Sequence, residues 1–413
     1  MRPDSHQMPS NVLLRLAAAA LLLAPLTSAG CGRLLTTAPA AGDQLDAPLD
    51  GLSLEERAGF LRGDAEFARP HSMTDGLGPL FNEVACASCH SGDGRGSLAN
   101  ILTRFSLGAD PLLHLGGPQL QDRAIPGATP ERLPPGVEVS LRLPPPVFGV
   151  GLLEAIPSES LAALADPLDT DGDGISGRVH WVTPPEFVPP TEPGGGPGLA
   201  AGRFGRKAQT SSLLQQTVDA YHQDMGITTD FRPIENTNPV AGSANDAADR
   251  VSDPELPAHV VRSVVTYLRL LSPPAPGAMT TRRALGRERF MSAGCGGCHV
   301  PKLRTGPGPS AALSHRDVVL YSDLLLHDMG DGLADGRPDG DASGREWRTT
   351  PLWGLRVARD FMDGQLLLLH DGRARSVEEA ILLHGGEAQS ARDAFAGLSA
   401  DERAAVLDFV ESR

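Results

Sequence analysis

Cys86-Ala87-Ser88-Cys89-His90 is repeated in form at Cys295-Gly296-Gly297-Cys298-His299, and these two pentapeptides use four of the five cysteines in a chain of 413 residues. Two thiols three positions apart sit on one turn, where each can add to a vinyl group of the same porphyrin. The histidine that follows can turn its imidazole under the iron as an axial ligand. The pattern predicts two covalently bound haem c groups, with His90 and His299 as proximal ligands. A disulfide or a thioredoxin-like pair gives neither histidine a role. A four-cysteine zinc site would have to unite pairs separated by about half the chain and would waste the same two histidines.

The elements that must carry these motifs are partly legible. Phe81 stands five residues before Cys86 and Phe290 five before Cys295, an internal repeat in which each ring is expected to close the apolar side of a haem crevice. The first haem domain should begin at Ser53-Leu54-Glu55-Glu56, a capped helix start. It should close with a helix begun by the capping box Ser252-Asp253-Pro254-Glu255, whose Val261, Val264, Val265, Leu268 and Leu271 share one stripe. Pro273-Pro274-Ala275-Pro276-Gly277 ends that helix. The second domain repeats the plan: a helix from about Thr281 to Phe290 leads into its motif, and Ser399-Ala400-Asp401-Glu402 caps a closing helix with Val406, Leu407, Phe409 and Val410.

The expected fold is therefore mainly α, with two cytochrome c-like helical haem domains at 53–272 and 281–413, a linker at 273–280 and long Gly/Pro-rich loop insertions. Gly 47, Pro 36 and an aromatic content of only 4% require much loop. One insertion, Phe187 to Gly202, is dominated by Pro and Gly. The other holds Asp169-Thr170-Asp171-Gly172-Asp173-Gly174, alternating aspartates with a Gly at the sixth position, like the first half of a calcium loop. His180 takes the twelfth position in place of a bidentate Glu. The reading stays divided between calcium on Asp169, Asp171 and Asp173 and a cluster of Asp-Gly turns.

Arg2 and Arg15 precede an Ala/Leu run from Leu16 to Leu26 and then Ser28-Ala29-Gly30-Cys31, the plan of a secretion signal whose apolar run is too short to span a bilayer. Residues 1–31 are expected to form a signal or lipoprotein segment and 32–52 a flexible linker. Small residues before a lone cysteine resemble a lipoprotein processing box, with Ser28 where that box usually carries Leu; cleavage after Ala29 is the alternative. Export fits haem attachment, which in bacteria takes place outside the cytoplasmic membrane, so the expected location is the periplasm, with Cys31 as a lipid anchor to the membrane. A formal charge of −15 argues against nucleic acid as a partner and favours a basic electron-donor protein.

Several further stretches carry a resemblance over nearly the whole mature chain. Gly76-Leu77-Gly78-Pro79-Leu80-Phe81, Asp93-Gly94-Arg95-Gly96, Gly149-Val150-Gly151-Leu152-Leu153-Glu154, Asp224-Met225-Gly226-Ile227-Thr228, Leu326-His327-Asp328-Met329-Gly330, Arg348-Thr349-Thr350-Pro351-Leu352-Trp353-Gly354 and His370-Asp371-Gly372-Arg373-Ala374 resemble the bacterial di-haem oxidoreductase family. That family is related to the di-haem cytochrome c peroxidases and to MauG. The resemblance implies that one haem transfers electrons while the other meets hydrogen peroxide or another small oxidant.

In the related peroxidases a Met fourteen residues beyond the His of a His-x-Gly motif is the distal ligand of the second haem. Here His384 stands at that spacing after His370, so His299 and His384 are the implied axial pair, with Met329 as runner-up. Asp224-Met225 matches their Glu-Met, which implies Asp224 as the acid-base group at the first haem. His370 is a candidate on the route between the haems, and Gln119 and Gln121 are candidates for distal hydrogen bonds. Met73, His114, His180 and His222 are candidate sixth ligands in the first domain. Relatives often show a Trp beside the Lys-Ala of this region; this chain has Arg206-Lys207-Ala208, which leaves Trp181, Trp353 or the haem propionates to couple the two irons. The implied activity is peroxide reduction at the first haem with electrons from a small redox protein entering at the second. The alternatives are MauG-like oxidation of a protein or other large substrate, and a non-catalytic di-haem electron carrier.

Overall fold

The helix starts follow from local side-chain chemistry. Ser53 Oγ accepts from Glu56 N while the Glu56 carboxylate accepts from Ser53 N at 2.7 Å, which satisfies two of the amides a helix start leaves open. The same reciprocal pair joins Ser399 and Glu402. The computed structural model describes residues 45–413 except Arg95, Thr237, Val240, Ser243, Pro309 and Asp363, so the signal and lipoprotein reading, Cys31 included, lies outside the described residues.

Among those residues, seven helices have seven residues or more: α1 (Leu54–Ala68), α2 (Leu213–Asp224), α3 (Ala258–Leu270), α4 (Thr281–Ser292), α5 (Val377–Leu383), α6 (Gln389–Gly397) and α7 (Ala400–Glu411). None of the described helices is long and apolar enough to cross a membrane. The other regular elements are short helical turns and five two-stranded antiparallel sheets. One of these sheets, Leu326–Asp328 against Glu346–Arg348, sets His327 opposite Trp347.

Each motif lies beside a pair of crossed helices, α1 on α3 and α4 on α7. The same device permits both crossings. A Cβ on Gly63 would lie 2.1 Å from Ser263 O, and one on Gly286 would lie 2.0 Å from Ala405 O, so only glycine lets the backbones come this close. Val261, Val264, Val265, Leu268 and Leu271 are all buried, as their stripe requires.

Two expectations are corrected. The helix predicted from Ser252 begins at Ala258 behind Pro257, with no side-chain cap of its own. Glu255 is engaged elsewhere, accepting from Thr228 N at 2.6 Å, and the remote Asp230 caps Ala258 N at 2.7 Å. The Phe repeat also breaks. Phe290 lies in the last turn of α4, but Phe81 lies in the strand Leu80–Phe81, and the ring beside His90 belongs to Phe67 of α1, 6.3 Å away.

Residues beyond the Pro-rich boundary do not build a wholly separate core. The largest buried cluster joins Phe60, Phe67 and Leu268 to Leu320, Trp353 and Val357, while a second gathers Phe290, Tyr321, Phe395 and Phe409. The described chain falls within one compact unit. The Phe187–Gly202 insertion is pinned to it: Val188 is buried, Phe187 meets Phe231 at 6.1 Å and Ser211 Oγ donates to Gly194 O.

Candidate functional site

The second motif opens into a cavity of about 510 Å³, within the range of small-molecule and cofactor sites. Gly294, with φ +90°, turns the chain from α4 into Cys295–Gly297. His299 Nδ1 lies 2.9 Å from Tyr321 O and His384 Nδ1 lies 2.6 Å from Ala380 O. A carbonyl only accepts, so in both rings Nδ1 carries the proton and Nε2 keeps its lone pair for a metal. Both rings line the same cavity. Loss of hydration pushes His299 down to about 4 and lowers His384, which keeps both imidazoles neutral at neutral pH. Met329 also lines this cavity.

The walls are Phe290, Leu352, Leu368, Val377 and Ile381, interrupted by the guanidinium groups of Arg206 and Arg348. Both arginines are buried, and both direct hydrogen bonds at main-chain carbonyls: Arg206 at Leu143 O, Arg348 at Gly205 O and Thr349 O. Burial pushes Arg348 down to about 10. An apolar plate with carboxylates on its edge, and an iron at its centre, matches this set of donors.

At the first motif, Cys86–Cys89 forms one short helix and His90 N returns to Cys86 O at 3.0 Å. Burial raises the Cys89 thiol well above its ordinary range, with the Asp224 charge adding to the effect, and burial pushes His90 down to about 4. Asp224 ends α2, and its main-chain oxygen accepts from Asn82 N at 2.7 Å and Glu83 N at 3.1 Å, which anchors it beside the motif. Its carboxylate accepts from the Gln119 side-chain amide, which also reaches Asn82 Oδ1 at 3.2 Å. Burial pushes Asp224 up to about 6, against the Gln119 hydrogen bond and the Arg104 charge, which pull it down. Such a value suits a group that must both take and give a proton near neutrality.

Residues 27–124 and 127–413 match the family described as "Di-haem oxidoreductase, putative peroxidase". The chain belongs to this di-haem oxidoreductase family. Haem cofactors are thereby implied, and the donors just described fit them. A search of curated proteins gives no match. Among solved structures, one of Kuenenia stuttgartiensis hydrazine synthase pressurised with xenon aligns at 14% identity over 92% of this chain and 96% of that one, with a TM-score of 0.39. A MauG-like protein associated with microbial copper homeostasis aligns at 15% identity over 89% and 93%, with a TM-score of 0.36.

The remaining candidates of this di-haem oxidoreductase are distributed as follows. His370 lines the cavity of the second motif, whereas Asp224 stands by the first. Gln121 turns away from Asp224, donating to Leu80 O at 2.9 Å. Met73 and His114 are exposed, His180 Nδ1 is committed to Lys207 O at 2.7 Å and His222 Nε2 to Ile234 O at 3.0 Å. In the acidic loop the carboxylates that converge within 4.8 Å are those of Asp166, Asp169 and Asp171. Asp173 instead caps Ile175 N at 2.8 Å and lines the cavity of the second motif.

Trp347 is one residue that sequence reasoning missed. Trp181 is 41% exposed, and Trp353 packs against Gly149 in the core. Trp347 lines the cavity and stacks on His370 at 3.7 Å and 7°, with Lys207 4.3 Å and Arg142 4.8 Å from its ring centre. An indole thus stands beside Lys207 after all, supplied from about 140 residues away in the chain, a placement that no local pattern announces. Lys207 is fully buried, paired with Asp335 at 3.1 Å, and burial pushes it down to about 8. Arg142 bridges Asp335 and Asp339 at 3.0 and 3.1 Å, so the ring rests on a buried ionic lattice. Burial pushes His370 down to about 3, with Asp371 opposing, so its imidazole is neutral.

Proposed function

We propose that the chain is a periplasmic di-haem c enzyme that reduces hydrogen peroxide at the first motif, using electrons delivered to the second by a small redox protein. The two halves would then be cytochrome c-like domains carrying one haem each. Thioether bonds to Cys86, Cys89, Cys295 and Cys298 would hold the groups, with His90 and the pair His299 and His384 facing the irons. When bound, haem supplies one-electron chemistry and, where a coordination position is open, a Lewis-acidic centre for peroxide.

The protein's own contribution at the first motif is proton handling. The Asp224 carboxylate takes a proton from the near peroxide oxygen and returns it to the far one, which leaves as water. Two electrons and two further protons complete the conversion of one peroxide into two waters. Gln119 orients that carboxylate. Trp347, stacked on His370, offers a π route between the halves, and Arg206 lies close enough to both His90 and His370 to disfavour protonation of each. The observation that carries the reading is the placement of Asp224: its main chain is anchored by Asn82 N and Glu83 N, its half-buried carboxylate is held by the Gln119 amide, and it is near enough to Cys89 for its charge to raise that thiol.

The test is the absorption spectrum of purified holoprotein before and after peroxide. The expected result is one low-spin haem and one high-spin fraction that peroxide converts. Two low-spin haems indifferent to peroxide would leave only an electron carrier. Secretion and lipid attachment at Cys31 belong to the same proposal and are checked by the mass of the mature N-terminus.

A further inference from the structure

The wall of the second cavity is built partly from the first half of the chain. Asp173 and Ile175, at the end of the acidic loop, both line it. Arg178 N donates to Leu326 O at 3.0 Å and Leu326 N returns to Arg178 O at 2.9 Å, so this segment is stitched onto the strand that carries His327. A Cβ on Gly177 would lie 2.5 Å from His327 Cε1, so the loop lies flat on that ring.

Glu387 is the meeting point. It sits three residues beyond His384, on the turn Gly386–Ala388. Oε1 accepts from Ser176 Oγ at 2.8 Å and Asp328 N at 3.0 Å; Oε2 accepts from Ser176 N at 3.0 Å and His327 Nδ1 at 2.8 Å. His327 Nε2 lies 2.9 Å from Asp323 Oδ2, so both ring nitrogens donate and the imidazolium is held between two carboxylates. Gly386, at φ +53° with a Cβ position 2.1 Å from Asp328 O, leaves the turn no room to shift. Only Gly385 and Gly386 separate this anchor from His384, whose ring is fixed at Ala380 O and whose main chain is held on the helix side by Ile381 O and by Arg392 Nη1, both at 3.1 Å, so the latch is the fixed point on the far side of the residue.

We propose that Glu387 is a positioning residue, latched by Ser176 and His327, that holds His384 in place as the sixth ligand of the second haem and so makes that ligation depend on the loop ending at Arg178. The proposal rests on the reading of His384 as an iron ligand. Opening the latch frees the turn after His384, and the imidazole can then swing away from the cavity.

The experiment uses holoprotein with both haems attached and compares Ser176→Ala, Ser176→Thr, Glu387→Ala and His384→Ala with wild type. It reads the high-spin fraction of the second haem and the rate at which carbon monoxide enters its reduced form, with melting temperature alongside. Ser176→Ala, which removes one hydrogen bond to a charged acceptor, should speed entry about tenfold; Thr should restore the wild-type rate, and Glu387→Ala should approach His384→Ala. Wild-type rates in the Ser176→Ala and Glu387→Ala proteins, or a lower melting temperature with unchanged entry, would overturn the latch while His384→Ala still showed a lost ligand. If Glu387→Ala fails to fold, Ser176→Ala decides alone. An unchanged spectrum in His384→Ala would remove the ligand reading and the latch together.

Discussion

Replacing Asp224 by Asn separates proton transfer from every other property of the first motif, because the side chain keeps its size and its place at the end of α2. Activity should fall by roughly a hundredfold to ten-thousandfold, the range for loss of a general acid-base group, with both haems still attached. In wild type, kcat/KM for peroxide should fall as pH drops through about 6, where Asp224 protonates. Stability should move the other way. A carboxyl raised from 3.8 to about 6 favours the unfolded state above both values, since the unfolded chain then carries the charge at no desolvation cost. At ~1.4 kcal/mol per unit the full penalty is about 3 kcal/mol, and partial exposure reduces it to roughly 1–3 kcal/mol. The penalty is absent below 3.8, grows as pH rises and is complete above about 6. The Asn variant should therefore gain on wild type as pH rises from about 4 to about 6, and keep a constant advantage above that, in urea unfolding of the holoprotein. Full activity in the variant, or a stability difference that does not change with pH, would remove Asp224 from the mechanism.

Changing His384 to Ala should convert the second haem from low to high spin; a persisting low-spin spectrum would move the ligand role to Met329 or another group. Gly286→Ala places a methyl 2.0 Å from Ala405 O and should cost roughly 1–3 kcal/mol in urea unfolding, whereas Gly397→Ala meets nothing within 4 Å and should change stability by less than about 1 kcal/mol. Lys207→Met deletes a buried cation that pairs with Asp335 but leaves Arg142 on the same carboxylate, so the loss should be roughly 1–3 kcal/mol by the same measurement.

What the sequence made legible was local. Capping at Ser53 and Ser399 and the stripe on α3 depend on neighbours within a few positions, and each is present. The start of α3 was misread because Glu255 and Asp230 exchange roles across the fold, which no local pattern encodes. Phe67, Trp347 and Glu387 were missed for the same reason. Each acts on a residue remote in sequence: Phe67 on His90, Trp347 on Lys207, Glu387 on Ser176. His384, by contrast, was implied by the resemblance to the di-haem peroxidases, and in the structure it lines the same cavity as His299.

The two halves share a scaffold but not a chemistry, and the difference is physical. Gly63 and Gly286 permit the same close helix crossing, and in each half an aromatic ring from the preceding helix lies about 6 Å from the motif histidine. Around that common frame the second motif receives a second imidazole whose Nδ1 is tied to a carbonyl, a donor suited to holding a metal through changes of charge. The first receives a carboxyl that burial has brought close to neutral pH, a group suited to moving protons. A redox centre saturated by two imidazoles exchanges electrons with little rearrangement, whereas one flanked by a proton donor can break an O–O bond. Asp224 ends a helix of the first half while His384 follows one in the second, so under the proposed division of labour neither role constrains the other's geometry. Arg206, Lys207, Trp347 and His370 form a buried layer, with Arg206 close enough to His90 of the first motif and to His370 at the second cavity to disfavour protonation of both.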